Sequence, residues 1–140
     1  QKKEIVSLYI FDTFGFGDTR NKVVDIFIKN VLAGNTITIP TNDVKINLAD
    51  VQPVCQSLIN SIDLKHGSYS IKSPDTISLE DLILMIMEIS NTTADVKRAN
   101  IGPNYFDEIE SFPENIFYGD SQYSLYGSLK ARIKDIQNGL

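Results

Sequence analysis

The sequence predicts a mixed α/β domain. Short apolar runs alternate with amphipathic stripes, in the order β-α-β-β-α-β-α-β-loop-α. The stripes are bounded by recognisable start and stop residues. The first run, Ile5 to Phe11, is almost continuously apolar, the pattern of a strand buried on both faces of a parallel sheet.

The elements follow in order. Ile5, Val6, Leu8, Tyr9, Ile10 and Phe11 form the first strand, and Gly15 and Gly17 punctuate the turn behind it. Asp18 or Thr19 is placed to cap a helix whose inner stripe is Val24, Phe27, Ile28, Val31 and Leu32. Gly34-Asn35 ends that helix. Thr36 to Ile39 is a short strand closed by Pro40, and Val44, Ile46 and Leu48 alternate with Lys45 and Asn47 as a half-buried strand. Asp50 caps the next helix, with Pro53 in its first turn, where a missing N–H does no harm. The core face expected there is Val51, Val54, Cys55, Leu58, Ile59 and Ile62. Tyr69 and Ile71 begin a further strand. Ser78-Leu79-Glu80-Asp81 reads as a capping box with Ile77 and Leu82 as its hydrophobic staple, ahead of a helix carrying Leu82, Ile83, Ile86 and Ile89, with Met85 flanking. Ala94 to Ile101 supplies another strand through Val96. Residues 102–123 read as loop. Ser124 opens the last helix, with Leu125, Leu129, Ile133 and Ile136 on one stripe.

Composition narrows the function. The chain has 140 residues, room for one core, and its 42% hydrophobic and 22% charged residues are those of an ordinary globular domain. A net charge of −5 with scattered basic residues argues against nucleic acid as the partner, since phosphate backbones need clustered Lys and Arg. Cys55 is the one cysteine, so no internal disulfide forms; its place on a helical stripe makes it a buried small hydrophobe, and a reducing cytoplasm is expected. Asn91-Thr92-Thr93 is a formal glycosylation sequon without secretory context. No segment has the apolar length of a membrane span, and Gln1-Lys2-Lys3 is not followed by a signal-type apolar region. The missing initiator Met and the abrupt first strand read as the later part of a longer protein.

Several motifs invite chemistry and resolve into plainer readings. Gly15-x-Gly17-x-x-Arg20 lacks the third glycine of a dinucleotide fingerprint and reads as a strand-to-helix turn. Tyr126-x-x-x-Lys130 has acid/base spacing, but its place in the terminal helix makes it a surface or packing pair. His66, the one histidine, falls between a helix end and a strand, and with Cys55 it makes no metal constellation. Asp107, Glu108 and Glu110 read as a solvated acidic loop. Lys22 is either an anion ligand or an exposed helix-start lysine, and Asp12 either a ligand contact or a turn residue.

Four segments carry a family resemblance. Ile10-Phe11-Asp12-Thr13-Phe14-Gly15-Phe16-Gly17-Asp18-Thr19-Arg20-Asn21-Lys22 is the first. The helix Val23 to Leu32 with Thr36-Ile37-Thr38-Ile39 is the second, and Ile46-Asn47-Leu48-Ala49-Asp50-Val51 the third. The fourth runs from Gly67-Ser68-Tyr69-Ser70-Ile71 to Tyr123-Ser124-Leu125-Tyr126-Gly127-Ser128-Leu129-Lys130. In order and spacing these resemble the C-terminal, substrate-binding part of extended short-chain dehydrogenases, the NAD-dependent epimerase/dehydratase family acting on nucleotide sugars. The GDTRNK form is most similar to the CDP-abequose and paratose synthase type.

The resemblance implies a mixed α/β substrate-binding domain of a Rossmann-type fold without the N-terminal cofactor-binding half. Residues 1–17 resemble the last part of the Rossmann half, its strand and turn, and residues 18–140 the substrate domain. It implies substrate contacts at Asp12, Thr13, Asn21, Lys22 and Val23, where a helix start favours an anion, and at Thr38 and Ile39 under the nucleotide base. NAD or NADP is implied for the intact parent and none for this chain, which is expected to lack turnover. Catalytic, cofactor and metal residues are expected to be absent. The family usually has Asn at the position of Asp12, and its arginines are missing at Asn42-Asp43-Val44 and Tyr105-Phe106. The alternative is therefore a non-catalytic binding or structural module that kept the fold and lost its phosphate-clamping arginines. The expected partner is a nucleotide sugar, with neither nucleic acid nor membrane, and with self-association through the exposed strand 5–11.

Overall fold

The computed structural model describes residues 5–101, 114–117 and 123–140. Seven strands and four helices follow one another as β1 (Val6–Ile10), β2 (Asp12–Phe14), α1 (Val23–Ala33), β3 (Ile37–Pro40), β4 (Lys45–Asp50), α2 (Val51–Asn60), β5 (Gly67–Ile71), β6 (Thr76–Ser78), α3 (Leu79–Ser90), β7 (Val96–Ala99) and α4 (Leu125–Gln137). The mixed α/β class is as expected.

The helix boundaries obey local chemistry. Gly34 ends α1 in the left-handed region at φ 67°, and the N–H groups of Gly34 and Asn35 reach back to the carbonyls of Val31 and Asn30. Asp50 caps α2 by accepting from the Gln52 N–H at 2.8 Å, Ser78 caps α3 through the Asp81 N–H at 3.0 Å, and Ser124 caps α4 through the Gly127 N–H at 3.0 Å. One cap departs from expectation. The N-cap of α1 is Lys22, which has no capping side chain, because Asp18 turns its carboxylate to Arg20 instead.

The strands make three small sheets. β1 runs parallel to β5, with Val6 opposite Gly67 and Ile10 opposite Ile71. β2 runs parallel to β4, which pairs antiparallel with β6 on its other side. β3 and β7 form a parallel pair. The apolar run 5–11 does form one strand, β1, which ends at Ile10; after Phe11 the chain enters a different sheet as β2. But β1 is not buried on both faces: Tyr9 is 43% and Ile10 47% exposed, because its sheet has two strands among the described residues and covers little of it. β6, absent from the sequence reading, forms where Thr76-Ile77-Ser78 pairs with Lys45-Ile46-Asn47.

The main core lies where α1, α3 and α4 pack on β2, β3 and β4. Phe14, Val24, Ile28, Val31, Leu48, Leu82, Ile83, Ile86 and Leu129 are all nearly inaccessible there, as the helical stripes predict. A smaller cluster of Ala49, Val54 and Ile71 sits under β1, β5 and α2. The expected core face of α2 is corrected by this arrangement. Val54 and Ser57 point inward, whereas Val51, Cys55, Leu58, Ile59 and Ile62 are exposed. Cys55 is therefore a surface thiol, not a buried hydrophobe. Asn47 is likewise buried, its amide donating to the Ser73 carbonyl at 2.7 Å and its oxygen accepting from the Ser73 N–H at 3.0 Å.

The expected loop over 102–123 falls largely outside the described residues, as do Tyr105, Phe106, Asp107, Glu108 and Glu110. Within it, Asn115 bridges to Ser70 beside β5. Among the described residues, no helix is long and apolar enough to cross a membrane.

Candidate functional site

A cavity of about 420 Å³ opens where β1 gives way to β2 and the turn enters α1. Ile10, Phe11, Asp12 and Thr13 line it from the strand break, Leu48 from β4, Arg20 and Lys22 from the turn, and Val23 and Val24 from the first turn of α1. A neighbouring cleft of about 320 Å³, lined by Phe14 to Arg20 and Val51, shares Arg20 with it.

The turn is built to hold this shape. Gly15 adopts φ 151°, and a Cβ there would lie 2.7 Å from the Val51 side chain, so no larger residue fits. Its carbonyl accepts from the Asp18 N–H at 3.2 Å. Asn21 then takes the left-handed conformation at φ 52°, which Asn tolerates better than most side chains, and lets the chain enter α1 sharply. Its Oδ1 accepts from Lys29 Nζ at 3.5 Å.

Two ion pairs anchor the turn. Arg20 forks onto Asp18, donating from Nε and Nη2 at 2.8 Å each, and Nη2 also reaches the Thr13 carbonyl at 3.1 Å. The hydrogen bond from Arg20 holds the Asp18 carboxyl at about 2, below its usual 3.8, against the opposing effect of burial. Beneath it, Arg132 of α4 donates Nε to Asp25 Oδ1 at 2.9 Å and Nη2 to Asp25 Oδ2 at 2.6 Å, and Nη2 also bonds the Asp18 carbonyl at 2.9 Å. Both of these side chains are almost fully buried. Their pairing, with hydrogen bonding to Asp25 foremost, raises the Arg132 pKa further above the ordinary arginine range.

Of the residues expected from sequence, Asp12, Thr13, Lys22 and Val23 meet at the cavity, and Asn21 shapes its rim. Thr38 and Ile39 do not join them: they sit in β3 against β7, where Ile39 is buried in the core and Thr38 faces outward. Arg20 was not among the expected site residues. Its signal was present in Asp18-x-Arg20, a pairing short enough to close within one turn. Asp25 and Arg132 are 107 positions apart, and no local signal joins them.

The plain readings of the remaining motifs stand as positions. Tyr126 and Lys130 are both exposed on α4. His66 Nδ1 accepts the Ile5 N–H at 3.1 Å beside β1. The described residues hold no cluster of three or more His, Cys, Asp or Glu suited to a metal. At the position where a dinucleotide fingerprint has its third glycine stands Arg20, locked on Asp18.

No family model matches the chain. It is 22% identical over 137 residues to CDP-abequose synthase of Yersinia pseudotuberculosis, spanning 91% of this chain and 46% of that protein. It superposes with TM-score 0.79 and 16% identity on TunA, an NAD-dependent NDP-hexosamine 5,6-dehydratase of tunicamycin biosynthesis, covering 96% of this chain and 46% of the other. A UDP-glucose 4-epimerase of Thermotoga maritima, solved with UDP-glucose, gives TM-score 0.76 and 13% identity over 96% of this chain and 46% of its own. The chain spans just under half the length of each. In fold, it looks like the C-terminal part of an NAD-dependent nucleotide-sugar epimerase or dehydratase of the extended short-chain dehydrogenase type.

Proposed function

We propose that this chain is the substrate-binding portion of an NAD(P)-dependent nucleotide-sugar epimerase, dehydratase or reductase, without catalysis of its own. The supporting observation is the cavity at the β2–α1 turn, with Asp12, Thr13, Lys22 and Val23 on its wall and two basic side chains at its mouth. Lys22 brings a positive charge to the start of α1, where no side chain caps the helix. Thr13 offers a hydroxyl to a sugar or phosphate oxygen. Asp12 accepts hydrogen bonds from sugar hydroxyls and repels a phosphate placed directly against it. In the parent enzyme, hydride passes between NAD(P) and the sugar, and the cofactor and acid/base residues are supplied outside this chain.

Titration with CDP-, UDP- and dTDP-sugars tests the reading. Saturable binding at or below about millimolar, with no NAD(P)H formed when NAD(P) is added, is the expected result. NAD(P)H formation by the purified 140-residue chain would overturn the claim that it lacks catalysis. The second reading is a non-catalytic module, favoured by the absence of arginine at Asn42-Asp43-Val44; binding to none of the nucleotide sugars would select it. We also propose self-association through the exposed apolar surface of β1, which carries Ile5 and Ile10 at its ends.

A further inference from the structure

We propose that Arg20, carried on the Asp18 carboxylate, is the residue that grips the diphosphate of a ligand in this cavity. The inference rests on the nucleotide-sugar reading above and names the group that would hold its charge.

The chain has three arginines, and their surroundings separate them. Arg132 is 3% exposed, pairs with Asp25 through Nε and Nη2, and does not line the cavity; its buried Nη1 has no partner among the described residues. Arg98 reaches Glu80 and the carbonyls of Pro40 and Thr41, beside β3 and α3, on a half-exposed surface that forms no cavity of ligand size. Arg20 alone among them lines the open cavity, and its side chain is 54% exposed. Its bonding leaves one edge available. Asp18 takes Nε and one N–H of Nη2, and the Thr13 carbonyl takes the other. Among the described residues, Nη1 has no acceptor, so two guanidinium N–H donors stay uncommitted on a group whose orientation is already set.

Preorganisation matters here. A free arginine loses rotamer freedom when it meets a phosphate, whereas this one is held beforehand by two short bonds to a carboxylate. Asp18 is itself ionised throughout the physiological range, so the pair does not come apart by protonation. The charge arrangement sets the affinity. Arg20 and Lys22 supply two positive charges, which Asp12 and Asp18 offset, so the site takes an anion modestly and gains when either carboxylate is neutralised.

Opposite substitutions on one ion pair distinguish binding from mere support. Calorimetric titration of the 140-residue chain at low ionic strength with inorganic pyrophosphate, and separately with UDP-glucose and CDP-glucose, is the test, with circular dichroism confirming that each variant is folded. Arg20→Gln is expected to weaken pyrophosphate and nucleotide-sugar binding alike, by about tenfold or more. Asp18→Asn, whose amide oxygen keeps an acceptor to hold the Arg20 fork while the opposing carboxylate charge is removed, is expected to tighten both severalfold. If Arg20 serves only to brace the turn, both substitutions weaken binding, and the inference is wrong. Unchanged affinity in a folded Arg20→Gln, with the native chain binding nucleotide sugars, likewise removes Arg20 while leaving the proposed function standing. Arg20-dependent binding of pyrophosphate with none of either nucleotide sugar keeps the clamp and overturns the proposed function. Binding of no probe overturns both.

Discussion

Asp18 shows how much one side chain can carry. Its carboxylate is 7% exposed, receives the Arg20 fork, and titrates near 2 because of it. A carboxyl whose folded pKa lies below its unfolded value stabilises the fold above the unfolded pKa, 3.8, and that contribution disappears as pH falls toward 2. Because Arg20 is half exposed, solvent screening keeps the effect small. The urea midpoint is expected to drop between about pH 4 and pH 2, and Asp18→Asn to flatten that part of the profile. An equal drop in the variant would assign the acid sensitivity to other carboxylates. Asp12 and Lys22 stood out in the sequence as ligand candidates because of the family resemblance carried by the run from Ile10 to Lys22; the residues alone left each of them open. Arg20 was less legible. A turn residue's direction depends on the φ values of Gly15 and Asn21, which residue identity alone leaves open.

At the scale of elements, the helices were the most readable part. Their stripes and caps are local, and Asp50, Ser78, Ser124 and Gly34 all act where their chemistry puts them. The interface between α1 and α4 was not readable, because it turns on Asp25 and Arg132. Both look like solvent-facing charges in sequence, yet they form a buried bidentate pair that also bonds the Asp18 carbonyl. Removing one partner leaves an uncompensated buried charge. Arg132→Ala is therefore expected to cost about 3–5 kcal/mol in chemical denaturation, whereas replacing both partners by apolar residues of similar size is expected to recover most of that. A loss below about 1 kcal/mol in Arg132→Ala would show that the pair adds little. The sharp loss in the single variant should also loosen the β2–α1 turn, since its anchor at Asp18 goes with it.

For the molecule as a whole, α2 presents a second exposed apolar surface besides β1. Ile59 is 60% and Ile62, just past the helix, 80% exposed, with Leu58 and Val51 partly so. Exposed apolar groups of this kind mark contact surfaces or association hazards. Concentration-dependent self-association in sedimentation velocity is expected, and Ile59→Glu with Ile62→Glu should reduce it severalfold. A sedimentation coefficient constant across a hundredfold concentration range in the unaltered chain would rule this out. The sequence placed these residues in the core because their helical spacing is that of any buried stripe. Periodicity reports that a helix has an apolar face, not that something in the same chain covers it.

The same division runs through the fold. Sequence alone determined the mixed α/β class, the order of the helices, the caps at Asp50, Ser78, Ser124 and Gly34, the core stripes of α1, α3 and α4, and the resemblance carried by the run from Ile10 to Lys22. Each depends on residues within a few positions of one another. Tertiary structure decided that β1 is exposed and that a separate strand, β2, follows it into another sheet, that β6 exists, that Cys55 and the outer face of α2 meet solvent, that Asp25 finds Arg132, and that Arg20 faces the cavity. These depend on pairings between distant segments, whose register and packing are set by the competition of all the elements for one core.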